Sequence, residues 1–386
     1  MLTTEEHKQI MKIGLDHVHW YVKNADYWKK WFINVMGFHA IAGGHNDHTY
    51  TEIVKTGSKD YPIIFVISSP LSPQSPVAKF LEIHPPGVAD IAFRVNNLKA
   101  CLEKIKNLGT VIQEPMKEKK YTNGYLQWSK IISQTGLIHS LFERRGDTSI
   151  LPENWIEKKP SNKINKNYFL ALDHLVLNVP QGELNSTIDW YNKILGFQKK
   201  QFFKIETPQS GLYSQVMFHP VSNIQLPINE PISKNSQIQE FLDINNGSGI
   251  QHIALRTNKI TEVIKQLRKN GLKFLKVPDT YYEQLTETDL NLKFDSQEWK
   301  QIVQENILLD QEENKNQKQG KQNHPLLLQI FTEPIFEQPT FFFEIIERRE
   351  QAQGFGEGNF KALFEAIERE QMKRGTLINN SGKNLK

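Results

Sequence analysis

Three residues in this chain have the types and settings needed to hold a metal ion: His174, His252 and Glu344. Glu344 stands inside Phe341-Phe342-Phe343-Glu344-Ile345-Ile346, an apolar, aromatic and β-branched run that reads as a buried strand. A carboxylate there is costly unless something neutralises it. His174 and His252 lie in two further strand-like runs, residues 172–179 and 249–256. Strand alternation puts His174 on one face with Val176, His252 with Ala254, and Glu344 with Phe342 and Ile346. Two imidazoles and one carboxylate make the facial triad of non-haem Fe(II) centres, which leaves positions open for O2 and a bidentate substrate. Taken singly, a histidine on an apolar strand is more often an ordinary core residue, and a lone glutamate could pair with an arginine.

An internal repeat singles the three out. Leu15-Asp16-His17-Val18-His19-Trp20-Tyr21-Val22 matches Leu172-Asp173-His174-Leu175-Val176-Leu177-Asn178-Val179. Each opens a strand, followed by an aromatic-rich helical pattern that stops near Gly37 or Gly196, where a left-handed C-cap is expected. Residues 87–94 match 249–256, and residues 139–145 match 343–349. The chain is thus a tandem duplication. It has an α+β architecture of βαβββ modules with antiparallel sheet. The positions of His174, His252 and Glu344 hold His17, Asp90 and Ser140 in the first copy, which has therefore lost the metal.

The elements that must carry these residues fall into an N-terminal domain over residues 10–150, a polar linker over 151–167 and a C-terminal domain over 168–386. The C-terminal copy carries additions. Residues 310–324 are almost all Gln, Asn, Lys and Glu and read as a surface loop. Phe360, Leu363, Phe364 and Ile367 have helical spacing, with Asn359 as the expected N-cap and Gly375 as the end. His219 and His324 read as surface residues rather than ligands.

With 386 residues, 38% hydrophobic and 10% aromatic, the chain can build a sizeable core. A net charge of +4 gives no reason to expect nucleic acid or an anionic membrane as a partner. One cysteine, Cys101, rules out an intramolecular disulfide framework and fits a reducing compartment. No apolar signal core opens the sequence and no run is long enough to span a bilayer, so a cytoplasmic enzyme or small-molecule binder is expected.

Between residues 15 and 375 the chain resembles the 4-hydroxyphenylpyruvate dioxygenase family of the vicinal oxygen chelate superfamily. The resemblance rests on ordered motifs. They are Leu172-Asp173-His174, Leu226-Pro227-Ile228-Asn229-Glu230-Pro231, Ser236-Gln237-Ile238-Gln239, Gly249-Ile250-Gln251-His252, Leu327-Leu328-Gln329-Ile330-Phe331, Glu344-Ile345-Ile346-Glu347-Arg348 and Gly354-Phe355-Gly356-Glu357-Gly358-Asn359-Phe360. It implies two open β-barrel-like domains plus a C-terminal lid helix. Fe(II) would sit in the second, on His174, His252 and Glu344. The implied substrate contacts are Ser214, Asn229, Gln237, Gln251, Gln329, Phe331, Phe342, Phe355 and Phe360, with Gln251, Gln329, Asn229 and Phe360 closest to the chemistry. The implied reaction takes 4-hydroxyphenylpyruvate and O2 to homogentisate and CO2, in a homo-oligomer (dimer or tetramer). Two alternatives are a 4-hydroxymandelate synthase, in which the residue matching Phe360 is smaller and aliphatic, and a metal-free binding protein of the same fold.

Overall fold

A computed structural model of the chain describes residues 12–153, 156–157, 167–207, 210–277, 279–286, 294–311, 325–360, 367–368, 371–372 and 374–375. Most of the polar stretch 310–324, with His324, and the helix positions Leu363 and Phe364 lie outside the described residues.

Two curled half-barrel sheets repeat the same topology. The first contains β1 (Ile13–Tyr21), β2 (His39–His45), β3 (Thr49–Gly57), β4 (Pro62–Pro70), β5 (Gly87–Val95), β6 (Ile112–Tyr121), β7 (Gly124–Ile132) and β8 (Ile138–Gly146). A two-residue edge strand, β9 (Ile156–Glu157), pairs with β2. The expected polar linker therefore adds a short strand to the first sheet. The second sheet contains β10 (Ala171–Asn178), β11 (Gln198–Glu206), β12 (Gly211–Phe218), β13 (Gln225–Pro231), β14 (Gly249–Thr257), β15 (Leu308–Gln311), β16 (Leu326–Phe331) and β17 (Phe342–Arg349).

The strand orders are β6-β7-β8-β5-β1-β4-β3-β2-β9 and, in reverse, β15-β16-β17-β14-β10-β13-β12-β11. Leaving β9 aside, the two orders correspond strand for strand. In each sheet the first strand runs antiparallel to the fifth and parallel to the fourth, and the fifth runs parallel to the eighth. The duplication read from three sequence segments thus holds for the whole topology.

Amphipathic helices cover the outer faces. The helix Leu184–Leu195 buries Leu184, Ile188, Tyr191 and Leu195 at i, i+4, i+7 and i+11, one stripe of a helical surface. It ends at Gly196, whose φ of +77° lies in the left-handed region that a C-cap glycine supplies. The helix has no cap from its own N-cap residue; its first N–H, on Leu184, is taken by Glu230 at 2.8 Å. The helices at Ile260–Lys269 and Leu98–Asn107 are tied to their sheets in the same way, by Glu347 to the N–H of Ile260 and by Glu143 to that of Leu98. These buried carboxylates neutralise helix N-termini.

β17 separates two environments. Phe341 and Phe343 point away from the second half-barrel and pack on Trp20 of the first sheet at ring separations of 4.7 and 6.0 Å, with Phe343 also over Phe65. Phe342 and Glu344, between them, face the half-barrel interior. Period-two alternation thus lets one strand join the two repeats and build the site. No helix among the described residues is long and apolar enough to cross a membrane.

Candidate metal centre and substrate pocket

Three adjacent central strands bring the candidate ligands together: β10 carries His174, β14 His252 and β17 Glu344. One donor atom from each lies within 4.8 Å of the others. His174 Nε2 is 3.0 Å from Glu344 Oε2, and His252 Nε2 is 3.8 Å from the same oxygen. Glu344 and His174 are 3% exposed, so water does little to solvate the carboxylate.

Two bulges aim these side chains. Along the β10–β14 ladder Val176 pairs with His252 but Leu177 pairs with Ile250, which leaves Gln251 as an extra residue. Gln251 and His252 are sequence neighbours, yet both line the pocket. Plain alternation would have put them on opposite faces and His252 with Ala254; Ala254 does not line the pocket, and neither does Ile346. The second bulge falls at Asp173, between the pairs Leu172–Leu255 and His174–Ala254. Both recur in the first copy, where Asp16 and Ala89 are the extra residues.

Asp173 fixes the His174 ring. Its carboxylate accepts from His174 Nδ1 at 3.0 Å and takes a two-pronged contact from Arg348, Nε at 2.9 Å and Nη2 at 2.7 Å. With Nδ1 held by Asp173, Nε2 is directed toward Glu344, the carboxylate–histidine arrangement that orients metal ligands. Burial alone would raise the Asp173 pKa, but the Arg348 guanidinium holds it well below the usual carboxylate range. Burial disfavours charge on His174, but the Glu344 carboxylate, with Asp173 behind the ring, pushes its pKa up to about 9. Burial, reinforced by charge on His174, keeps His252 well below the usual histidine value. His252 Nδ1 has no hydrogen-bond partner among the described residues, and its ring is held by stacking on Phe342 at 4.7 Å.

The donor set fits a ferrous ion: two imidazole nitrogens and one carboxylate oxygen on one side, with the pocket on the other. Metal binding to such a set displaces the proton that the raised pKa otherwise keeps on His174.

The pocket above these ligands is lined by Ser214, Asn229, Gln237, Gln251, Gln329, Phe331, Phe342, Phe355 and Phe360, the nine positions that the family resemblance implied. Of its other walls, Val176 was placed on the His174 face by strand alternation and Ile367 on the expected lid helix; Pro227 also lines it, and Phe203, Ile205, Leu212, Val216 and Ile238 were not foreseen. Phe203 meets Phe360 at 5.1 Å. Most of these are plain apolar residues that nothing in a single sequence separates from core. Gln237 Oε1 and Asn178 Nδ2 are buried without a partner among the described residues. The Asn229 amide reaches Asn178 at 3.3 Å.

The backbone that Asn359 is expected to cap, residues 361 and 362, lies outside the described residues; what is described is Asn359 itself. It sits buried in a 3-10 turn, Glu357–Asn359, where its side chain accepts from the Tyr281 hydroxyl at 2.7 Å and donates to Gln329 at 3.4 Å. It therefore positions a pocket amide. Gly356, with a φ of +81°, lies so close to the Gln329 side chain that a Cβ would collide with it. His219 is not a surface residue. It is fully buried, with Nδ1 accepting from the Ser222 hydroxyl at 3.0 Å and its ring against Phe197 at 5.6 Å.

The model for the Glyoxalase/Bleomycin resistance protein/Dioxygenase superfamily matches residues 14–131 and 171–290, once in each repeat. The class is thus a duplicated member of that superfamily. The chain is 37% identical over 388 residues to 4-hydroxyphenylpyruvate dioxygenase of Yarrowia lipolytica, covering 94% of this chain and 93% of that one. It is 35% identical over 393 residues to the enzyme of the same name from Coccidioides posadasii, covering 95% and 94%. A solved mutant of 4-hydroxymandelate synthase from Streptomyces coelicolor superposes with a TM-score of 0.80 at 24% identity, over 94% of this chain and all of that one, a likeness in fold. This chain belongs to the 4-hydroxyphenylpyruvate dioxygenase family.

Proposed function

We propose that this chain is an Fe(II)-dependent dioxygenase that converts 4-hydroxyphenylpyruvate and O2 to homogentisate and CO2. The observation that carries this reading is the convergence of His174, His252 and Glu344 on a pocket whose other polar lining groups are all uncharged. These three residues would hold the ion. When bound, Fe(II) supplies chelation of the 2-oxo acid and activation of O2.

The chain's own residues bind, orient and exclude water. Ser214, Asn229, Gln237, Gln251 and Gln329 offer neutral donors and acceptors to the phenol and the side-chain oxygens. Gln237 Oε1, buried and unpartnered among the described residues, is available to accept the phenol proton. Phe342 and Phe360 hold the ring between them, and Phe331 and Phe355 complete the apolar wall. A fixed ring and a dry pocket commit the substrate to one geometry. The helical segment that includes Phe360 and Ile367 would close the mouth, with Gly354, Gly356 and Gly358 as its hinge.

The test is anaerobic Fe(II) loading followed by O2 and 4-hydroxyphenylpyruvate, with the product identified. Homogentisate is expected, and His174→Ala should neither retain iron nor consume O2. Hydroxymandelate as the product would replace ring attack by benzylic attack. Failure of the wild-type chain to bind iron or take up O2 would leave a metal-free binding protein. The same reading expects a dimer or tetramer in the cytoplasm, which light scattering and fractionation check.

A further inference from the structure

The first repeat holds a cavity of its own, inside the sheet that lacks the metal ligands. Ladder register places its lining on the positions that build the other pocket. Tyr21 pairs with Ser68 as Asn178 pairs with Asn229, and Ser68 pairs with Thr51 as Asn229 pairs with Ser214. Ser68 and Thr51 both line the first cavity, as Asn229 and Ser214 line the second.

The device that aims the metal-side histidine is also intact here. Asp16 accepts from His17 Nδ1 at 2.8 Å and from Arg144 Nε and Nη2 at 2.9 and 2.8 Å. What differs is the chemistry at the floor. Asp90 stands where His252 would be, 4% exposed, accepting from the Ser140 N–H at 2.9 Å and from the Ser140 hydroxyl. No Lys, Arg or His among the described residues forms an ion pair with it. A buried carboxylate without a countercharge is expensive unless a ligand brings one.

Charge and shape then define the ligand. Lys117 and Lys130 are both engaged by Glu114 at the wall, and Glu153 adds a further carboxylate. With both lysines taken by Glu114, Asp90 is the buried carboxylate of the lining that no cation of the described residues pairs with, which favours a cationic ligand over an acid. Tyr21, Trp128 and Phe142 also line the cavity and give a flat apolar body something to pack on. Among the described residues no three metal-ligating side chains converge here.

We propose that the N-terminal cavity is a second ligand site for a small arylalkyl amine, its ammonium on Asp90 and its ring against Trp128 and Phe142. The site is separate from the metal pocket, and its occupancy does not require iron.

Calorimetry and thermal shift on the whole, Fe(II)-loaded chain test this, with phenethylamine as probe and phenylacetate as its anionic counterpart. Phenethylamine should bind once per chain and raise the Tm, while phenylacetate should not. Asp90→Asn should weaken phenethylamine at least tenfold. His174→Ala, which removes the proposed dioxygenase activity, should bind it as wild type does. The two proposals therefore fail separately. Absence of phenethylamine binding, equal binding of phenylacetate, loss of binding in His174→Ala, or an Asp90→Asn variant that binds as wild type would each overturn the proposal. Should Asp90→Asn not fold, Trp128→Ala at a half-buried position carries the test: weakened binding supports the site and unchanged affinity overturns it.

Discussion

At the scale of single residues, the site is a set of exceptions. His174, His252 and Glu344 are polar groups in apolar strands, which is why the sequence exposes them. Asp173 was within reach for a related reason: the pair Asp-His occurs at the same place in both copies. Its role still required geometry, since only the structure shows Arg348 gripping it from another strand. We expect Asp173→Asn to lower Fe(II) affinity or turnover by about 10–100-fold. Iron content at fixed free Fe(II), with circular dichroism to verify folding, checks this; unchanged iron content would remove Asp173 from the site. His219 shows how such reasoning misleads. A histidine in a polar turn looks exposed, but Ser222 satisfies its ring and allows full burial. Phe203 and Leu212 were invisible because an apolar residue on a strand reads the same whether it faces a core or a substrate.

At the scale of elements, the duplication was readable because strand openings and helix stops recur in both copies. The bulges at Asp173 and Gln251 were not. An extra residue in a ladder leaves no mark until the partner strand's register is known, and without it alternation assigns Gln251 to the wrong face. β17 illustrates the opposite case, because its alternation holds at Phe341, Phe342, Phe343 and Glu344. Phe343→Ala, on the face toward the first sheet, should cost about 3–5 kcal/mol of stability. Denaturant unfolding measures that loss. Iron binding by the remaining folded protein should be retained, because Phe343 faces away from the pocket. If iron binding were lost while stability stayed intact, the assignment of faces along β17 would be wrong.

At the scale of the whole molecule, aromatic packing and a buried histidine are among the contacts that join the repeats. His139 of β8 donates from Nδ1 to the carbonyl of Ile91 at 3.0 Å and accepts from the Tyr191 hydroxyl of the second repeat at 3.0 Å, a tautomer assigned from its partners. Burial holds its pKa below the ordinary histidine value. The unfolded chain therefore takes up a proton near the ordinary value while the folded chain does not. This contribution to stability is full above about pH 6.5 and is lost as pH falls toward the folded pKa, at no more than about 1.4 kcal/mol per pH unit. Tm measured from pH 7.5 to 5.5 should decline less steeply in His139→Gln than in wild type. Half-buried His19, shifted in the same direction, keeps some slope in both. Such contacts between repeats had no sequence signal, since each copy's pattern describes only its own sheet.

The retained Asp16–His17–Arg144 clamp has one more consequence. The first half-barrel keeps the scaffolding of a metal centre: the same strand order, the same two bulges and one histidine already oriented. Only two side chains separate it from a full ligand set. The double substitution Asp90→His with Ser140→Glu should therefore transplant a second centre into the N-terminal half and raise bound iron from one to two equivalents per chain. Metal analysis of the purified variant reads that stoichiometry directly. A count that stays at one would mean that the spacing of the first half-barrel has drifted since the copies diverged, beyond what side-chain exchange can restore.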